Sequence, residues 1–130
     1  TTAFYAVLDA DDRNHSVARK TWGRLLRDDA VLATSNYVLV ETYALIQHRL
    51  GLHAVRTFDE DIYPMLHVEW LTRELHEAGV AAALIAARHR LGLVDCVSFE
   101  LMRRNGLHHA FTFDSHFREQ GFDCLPRTDG

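Results

Sequence analysis

Residues 30–51, AVLATSNYVLVETYALIQHRLG, decide the fold. The run Ala30 to Ala33 is apolar and is bounded by Asp28-Asp29 and by Thr34-Ser35-Asn36, which suits a short buried parallel strand. From 36 to 50 the apolar positions fit a helix, with Ser35 or Thr34 available as N-cap and Gly51 as the stop. Glu41 lies three residues after Val38 and four before Leu45, so helical geometry sets it beside the apolar stripe rather than opposite it. A glutamate in that position is rarely buried without a partner. On its own helix only His48 or Arg49 offers a positive charge.

Outward from this strand–helix unit the alternation continues. Residues 15 to 27 carry Val17, Ala18, Trp22, Leu25 and Leu26 at close to the 3.6-residue period, with Asn14 as a cap. Residues 53 to 62 form a further helix ending before Pro64. His67 to Trp70 is a second short strand, and Thr72 caps a long helix running to Gly92 whose apolar run Val80 to Ala87 is a buried face. Residues 95 to 105 make a helix that ends at Gly106, Ala110 to Phe113 a strand and Phe122 to Leu125 a last strand. Strands separated by helices require crossovers and therefore a parallel sheet covered on both faces. The expected fold is α/β, three layers α/β/α around a central parallel sheet. At 130 residues the chain has the length of a single domain spanning 1–130.

In such sheets ligands bind beyond the carboxyl ends of the strands. Asp114 follows Ala-Phe-Thr-Phe at that edge, and Asp95 follows Gly-Leu-Val at the start of the helix bearing Phe99 and Met102. Each could serve only as an N-cap, worth about 1 kcal/mol, and Glu41 could belong to a structural ion pair. Three carboxylates converging from separate segments point instead to a bound divalent cation, because desolvated carboxylates are costly unless something positive meets them.

Composition removes several alternatives. A formal charge of −4 excludes a general positive field for nucleic acid, whose non-specific binding rests on neutralising phosphates. Thirteen of the 14 basic residues are arginine and Lys20 is the only lysine, which discounts Schiff-base and P-loop chemistry. The longest small and apolar run is far below the 18 or so residues of a membrane span, so no membrane role is expected. Cys96 and Cys124 have no zinc spacing and suit reduced thiols in a cytoplasmic protein. His108, His109 and His116 do not form a zinc set, since adjacent histidines on a strand face opposite ways.

The segments Thr1 to Asp9, Ser35 to Thr42, Leu93 to Phe99 and Thr112 to Phe117, in this order and spacing, resemble PIN-domain ribonucleases, particularly the VapC-type toxins of bacterial toxin–antitoxin pairs. The resemblance implies a PIN-like domain and a Mg²⁺- or Mn²⁺-dependent endoribonuclease with RNA as substrate, a cognate antitoxin as partner and a homodimer as assembly. Glu41, Asp95 and Asp114 match the second, third and fourth acids of the family's metal-binding quartet. Thr2 and Ser115 match polar positions that support those ligands, and His15 matches a position near the first loop. The first acid of the quartet, and the strand that ends in it, would precede Thr1: either the sequence is trimmed at its start or this form lacks that strand and one metal ligand. Asp9, Asp11 and Asp12 come after the first short helix and are poorly placed to replace it.

Under this reading Asp95 and Asp114 are metal ligands and Glu41 is a ligand or orients the attacking water, so in-line attack on a phosphodiester needs no side-chain nucleophile. Arg13, Arg103 and Arg118 are candidate RNA contacts, each equally readable as solvated surface charge. Phe4 and Tyr5 could line a dimer surface or antitoxin groove. The alternative function is a catalytically inactive PIN-like module that binds RNA or protein. A small phosphatase ranks lower, because Asp9-Ala10-Asp11 lies beyond a helical stretch instead of at the end of a strand.

Overall fold

The computed structural model describes residues 1–85 and 92–127. In chain order the elements are α1 (Thr2–Leu8), α2 (His15–Arg27), β1 (Leu32–Ser35), α3 (Asn36–Leu50), α4 (Leu52–Thr57), β2 (Leu66–Glu69), α5 (Arg73–Ile85), α6 (Leu93–Arg104), β3 (His109–Phe111), α7 (Ser115–Glu119) and β4 (Asp123–Leu125). A π-helical turn at Phe58–Ile62 and a 3₁₀ turn at Tyr63–Met65 lead from α4 into β2.

The strands pair in parallel, as the alternation with helices requires. Leu32 to Ser35 of β1 align with Leu66 to Glu69 of β2, and His109 to Phe111 of β3 align with Asp123 to Leu125 of β4. Among the described residues these are two separate two-stranded sheets. β1 and β3 both line a cavity of about 750 Å³.

Local chemistry sets the boundaries. Ser35 Oγ accepts from Val38 N at 3.2 Å and starts α3. Gly51, at φ 91°, ends it by turning its N–H back to the carbonyls of Ile46 and Gln47, a conformation other residues adopt only with strain. Thr72 Oγ1 accepts from Leu75 N at the start of α5. The expected strand at 30–33 lies two residues later, at Leu32–Ser35, because Ala30 N is still bonded to Leu25 O at the end of α2 and Asp29 takes a positive φ. Val31 is 84% exposed as a result. The run Val80 to Ala87 is not a uniformly buried face: Leu84 and Ile85 are exposed. Its last two residues, with the rest of the expected helix as far as Leu91, lie outside the described residues. No helix among the described residues is long and apolar enough to cross a membrane.

Two apolar clusters hold these elements. The first joins Phe4, Tyr5, Leu39, Ile46, Phe58 and Ile62. Phe4 stands edge-on to Trp22, Phe58 and Phe111 at ring-centroid distances of 6.2, 5.7 and 6.0 Å, which ties α1 to α2, the π turn and β3. Phe4 and Tyr5 are therefore core residues and not an open docking surface, because aromatic burial of this kind is worth about 1.5–3 kcal/mol per side chain. The second cluster joins Phe99, Met102, Ala110 and Phe122, with Phe117 of α7 packed 4.8 Å from Phe99.

Candidate active site

The chain leaves β3, turns at Thr112 and enters α7 at Asp114. Thr112 Oγ1 accepts from Asp114 N at 3.0 Å, and Asp114 Oδ1 accepts from His116 N at 2.9 Å. Asp114 thus caps α7, as its position predicts. Asp95 does not act as a cap: Gly92 precedes the helix, and Asp95 sits in the first turn of α6. There the positive end of the helix dipole favours a negative charge.

Glu41 projects from α3 as an exposed residue, where its helical spacing predicts partial burial. Neither His48 nor Arg49 forms an ion pair with it among the described residues. Arg49 stacks over the Tyr5 ring at 5.3 Å instead. The hydroxyl of Thr1 donates to Glu41 Oε1. Glu41, Asp95 and Asp114 all line the cavity that β1 and β3 border.

The electrostatics show that the carboxylates share one neighbourhood. Burial pushes the Asp95 carboxyl up, the charges of Asp114 and Glu41 push it further, and His116 opposes them. Burial and the two neighbouring carboxylates thus act on Asp95 in the same direction.

Ligand atoms of Asp95, Asp114 and His116 lie within 4.8 Å of one another. His116 is not among the metal ligands that the sequence predicts. The overlooked signal is the Asp-x-His spacing at a helix start, where the capping turn folds residue i+2 back over residue i. His116 Nδ1 is 3.0 Å from Asp114 Oδ1, yet it is buried and has no hydrogen-bond partner among the described residues. The approach is close without being aligned.

Other expected residues take different places. Thr2 lines the cavity but is exposed, and Thr1 is the threonine that meets Glu41. Ser115 is exposed in the first turn of α7. His15 Nδ1 lies 2.7 Å from Ala6 O and pins the first loop to α1. Asp9 accepts from the Tyr5 hydroxyl and from Asp11 N, and Asp12 accepts from Asn14 N, so these two acids are engaged within their own loop. His109 faces Asp123 at 3.6 Å. Arg103 lies over the Phe99 and Phe122 rings and donates to Gln120 Oε1.

Two carboxylates and an imidazole form a donor set suited to a divalent cation. The buried Nδ1 without a hydrogen bond fits the same group, since such atoms are uncommon unless an ion or water completes them. Glu41 borders the cavity but stands outside this tight group.

Comparison with known proteins agrees with this architecture. The PIN domain family model matches residues 1–123. The 23S rRNA-specific endonuclease VapC20 of Mycobacterium tuberculosis, from strains CDC 1551 and H37Rv, is 32% identical over 123 residues, covering 93% of this chain and 92% of that protein. The crystal structure of M. tuberculosis VapC20, described as a sarcin–ricin loop cleaving toxin, superposes with a TM-score of 0.80 at 30% identity and covers 92% of this chain and 91% of the other. The chain belongs to the PIN-domain family.

Proposed function

We propose that the protein is a metal-dependent endoribonuclease acting as the toxin of a bacterial toxin–antitoxin pair, with ribosomal RNA as its substrate. The observation that carries this reading is the convergence of Asp95, Asp114 and His116 within 4.8 Å, beside Glu41 and at the carboxyl side of β3. The similarity to a 23S rRNA-specific endonuclease over 93% of the chain supports the substrate class.

Asp95 and Asp114 are the proposed ligands of Mg²⁺ or Mn²⁺, and Glu41 is the proposed ligand or water-orienting group. When bound, the metal supplies Lewis acidity: it lowers the pKa of a water and stabilises charge developing on the phosphate. The chain's own part is positional. Asp114 is fixed by its cap bond to His116 N and by the bond from its own N–H to Thr112. Asp95 is fixed by α6, whose next residues Cys96, Val97 and Ser98 are buried. Glu41 is presented by a helix whose first turn Ser35 caps, and Thr42 Oγ1 donates to Val38 O on that helix at 2.6 Å. Thr2 and Ser115 are proposed to hold water or substrate at the rim.

The strand that the family resemblance sets ahead of Thr1, ending in the first acid, is proposed to lie in the cavity that β1 and β3 border. A homodimer, an antitoxin partner and action in the cytoplasm belong to the same proposal. The test is primer extension on 23S rRNA after exposure of intact ribosomes to the protein with Mn²⁺. A single new stop is expected. Tight RNA binding with no cleavage would favour the inactive binding module instead.

A further inference from the structure

We propose that His116 is a metal ligand in its own right, donating through Nδ1, and that this nitrogen makes the site favour a transition ion such as Mn²⁺ over Mg²⁺; the inference rests on the metal-centre reading above.

Three observations carry it. The first is the buried Nδ1 with no hydrogen-bond partner among the described residues. A ring nitrogen held that way keeps its donor capacity unused, which is costly unless something completes it. The second is spacing. Nδ1 stands 3.0 Å from Asp114 Oδ1. Two donors at right angles on an octahedral ion about 2.1 Å from each would be about 3.0 Å apart.

The third is how firmly the backbone that carries the ring is held. The backbone of His116 donates to Asp114 Oδ1 at 2.9 Å. Its neighbour Phe117 packs edge-on against Phe99 of α6 at 4.8 Å and approaches Phe122 at 6.3 Å. The helix that carries His116 is therefore anchored to the helix that carries Asp95.

The choice of ion follows from ligand chemistry. Mg²⁺ takes oxygen donors and keeps much of its water, whereas imidazole nitrogen suits first-row transition ions. A site with Asp95 and Asp114 alone would hold the two ions through oxygen in the same way. Adding Nδ1 strengthens binding of Mn²⁺ and does little for Mg²⁺. A residue that merely oriented Asp114 would affect both ions alike.

The experiment measures Mn²⁺ and Mg²⁺ affinities by calorimetry for the wild type, His116→Ala, His116→Gln and Asp95→Asn. Pulsed EPR of bound Mn²⁺ reports any coordinated ¹⁴N, and circular dichroism checks each fold. The expected result is a ¹⁴N coupling in the wild type that is lost in both His116 variants. Mn²⁺ affinity should fall about tenfold or more, within the range known for disturbed metal sites, while Mg²⁺ affinity changes less than about threefold. Mn²⁺ binding that needs Asp95 but shows no ¹⁴N coupling, or an equal loss for both ions, would overturn the role of His116 and leave the metal centre standing. A folded wild type that binds no Mn²⁺ would overturn both.

Discussion

Gly79 of α5 lies directly against Val97 of α6: a β-carbon added to Gly79 would stand 2.2 Å from Val97 Cγ2 and 3.4 Å from its Cα. Val97 is fully buried and lies two residues beyond Asp95, so this contact sets how close α5 comes to the helix bearing a proposed ligand. Gly79→Ala would improve intrinsic helix propensity by about 1 kcal/mol. Val97 is β-branched and stiff, and overpacking of this kind costs about 1–3 kcal/mol with local strain added. The variant is expected to be less stable in urea denaturation. Unchanged or higher stability would show that the helices can separate freely.

Asp95 links stability to pH. Its carboxyl is raised above the ordinary aspartate value of 3.8, chiefly by burial and then by Asp114 and Glu41. The folded protein therefore holds that proton more readily than the unfolded chain does. The associated stability is fully present below about 3.8 and is lost as pH rises through the raised value. In EDTA, Asp95→Asn should melt higher than the wild type at pH 7, with the gap closing as pH approaches 4. A variant that melts lower than the wild type at pH 7 would contradict the crowding of charge.

Asp9 is the internal control for the acids. The Tyr5 hydroxyl, then Asp11 N, hold its carboxyl below the usual range. That stability is present above the ordinary value and is lost as pH falls through the lowered one. Asp9→Asn should therefore lower the thermal midpoint at pH 7 yet leave RNA cleavage within about twofold, since it removes no transition-state contact. Loss of cleavage in a folded Asp9→Asn protein would bring this residue into the site.

The two strand pairs give a fourth prediction. Extending the chain ahead of Thr1 with about five apolar residues ending in aspartate, the length of an ordinary short strand, should raise the thermal midpoint and tighten Mn²⁺ binding. An extension that changes neither would mean that the space between β1 and β3 does not accept a strand.

Much of this fold is visible in the sequence because its signals are local. Helices α2 and α3 fall at their expected residues, with Ser35 capping and Gly51 stopping α3. The first strand is displaced because apolar character alone does not reveal that Ala30 still closes the end of α2. Asp95 and Asp114 are legible as acids at element starts and do come together. His116 is not legible as their companion, since its approach depends on the capping turn at Asp114 and on the anchoring of Phe117. The exposure of Glu41 depends on packing between distant segments, which periodicity does not encode.

Metal held by the carboxylates is proposed to cut RNA. The most direct measurement is incubation of the purified protein with end-labelled RNA in Mn²⁺, with an EDTA reaction and an Asp95→Asn reaction beside it. Cleavage that disappears in both controls, while the variant remains folded, is the expected result. Cleavage that persists with EDTA or with Asp95→Asn would contradict it.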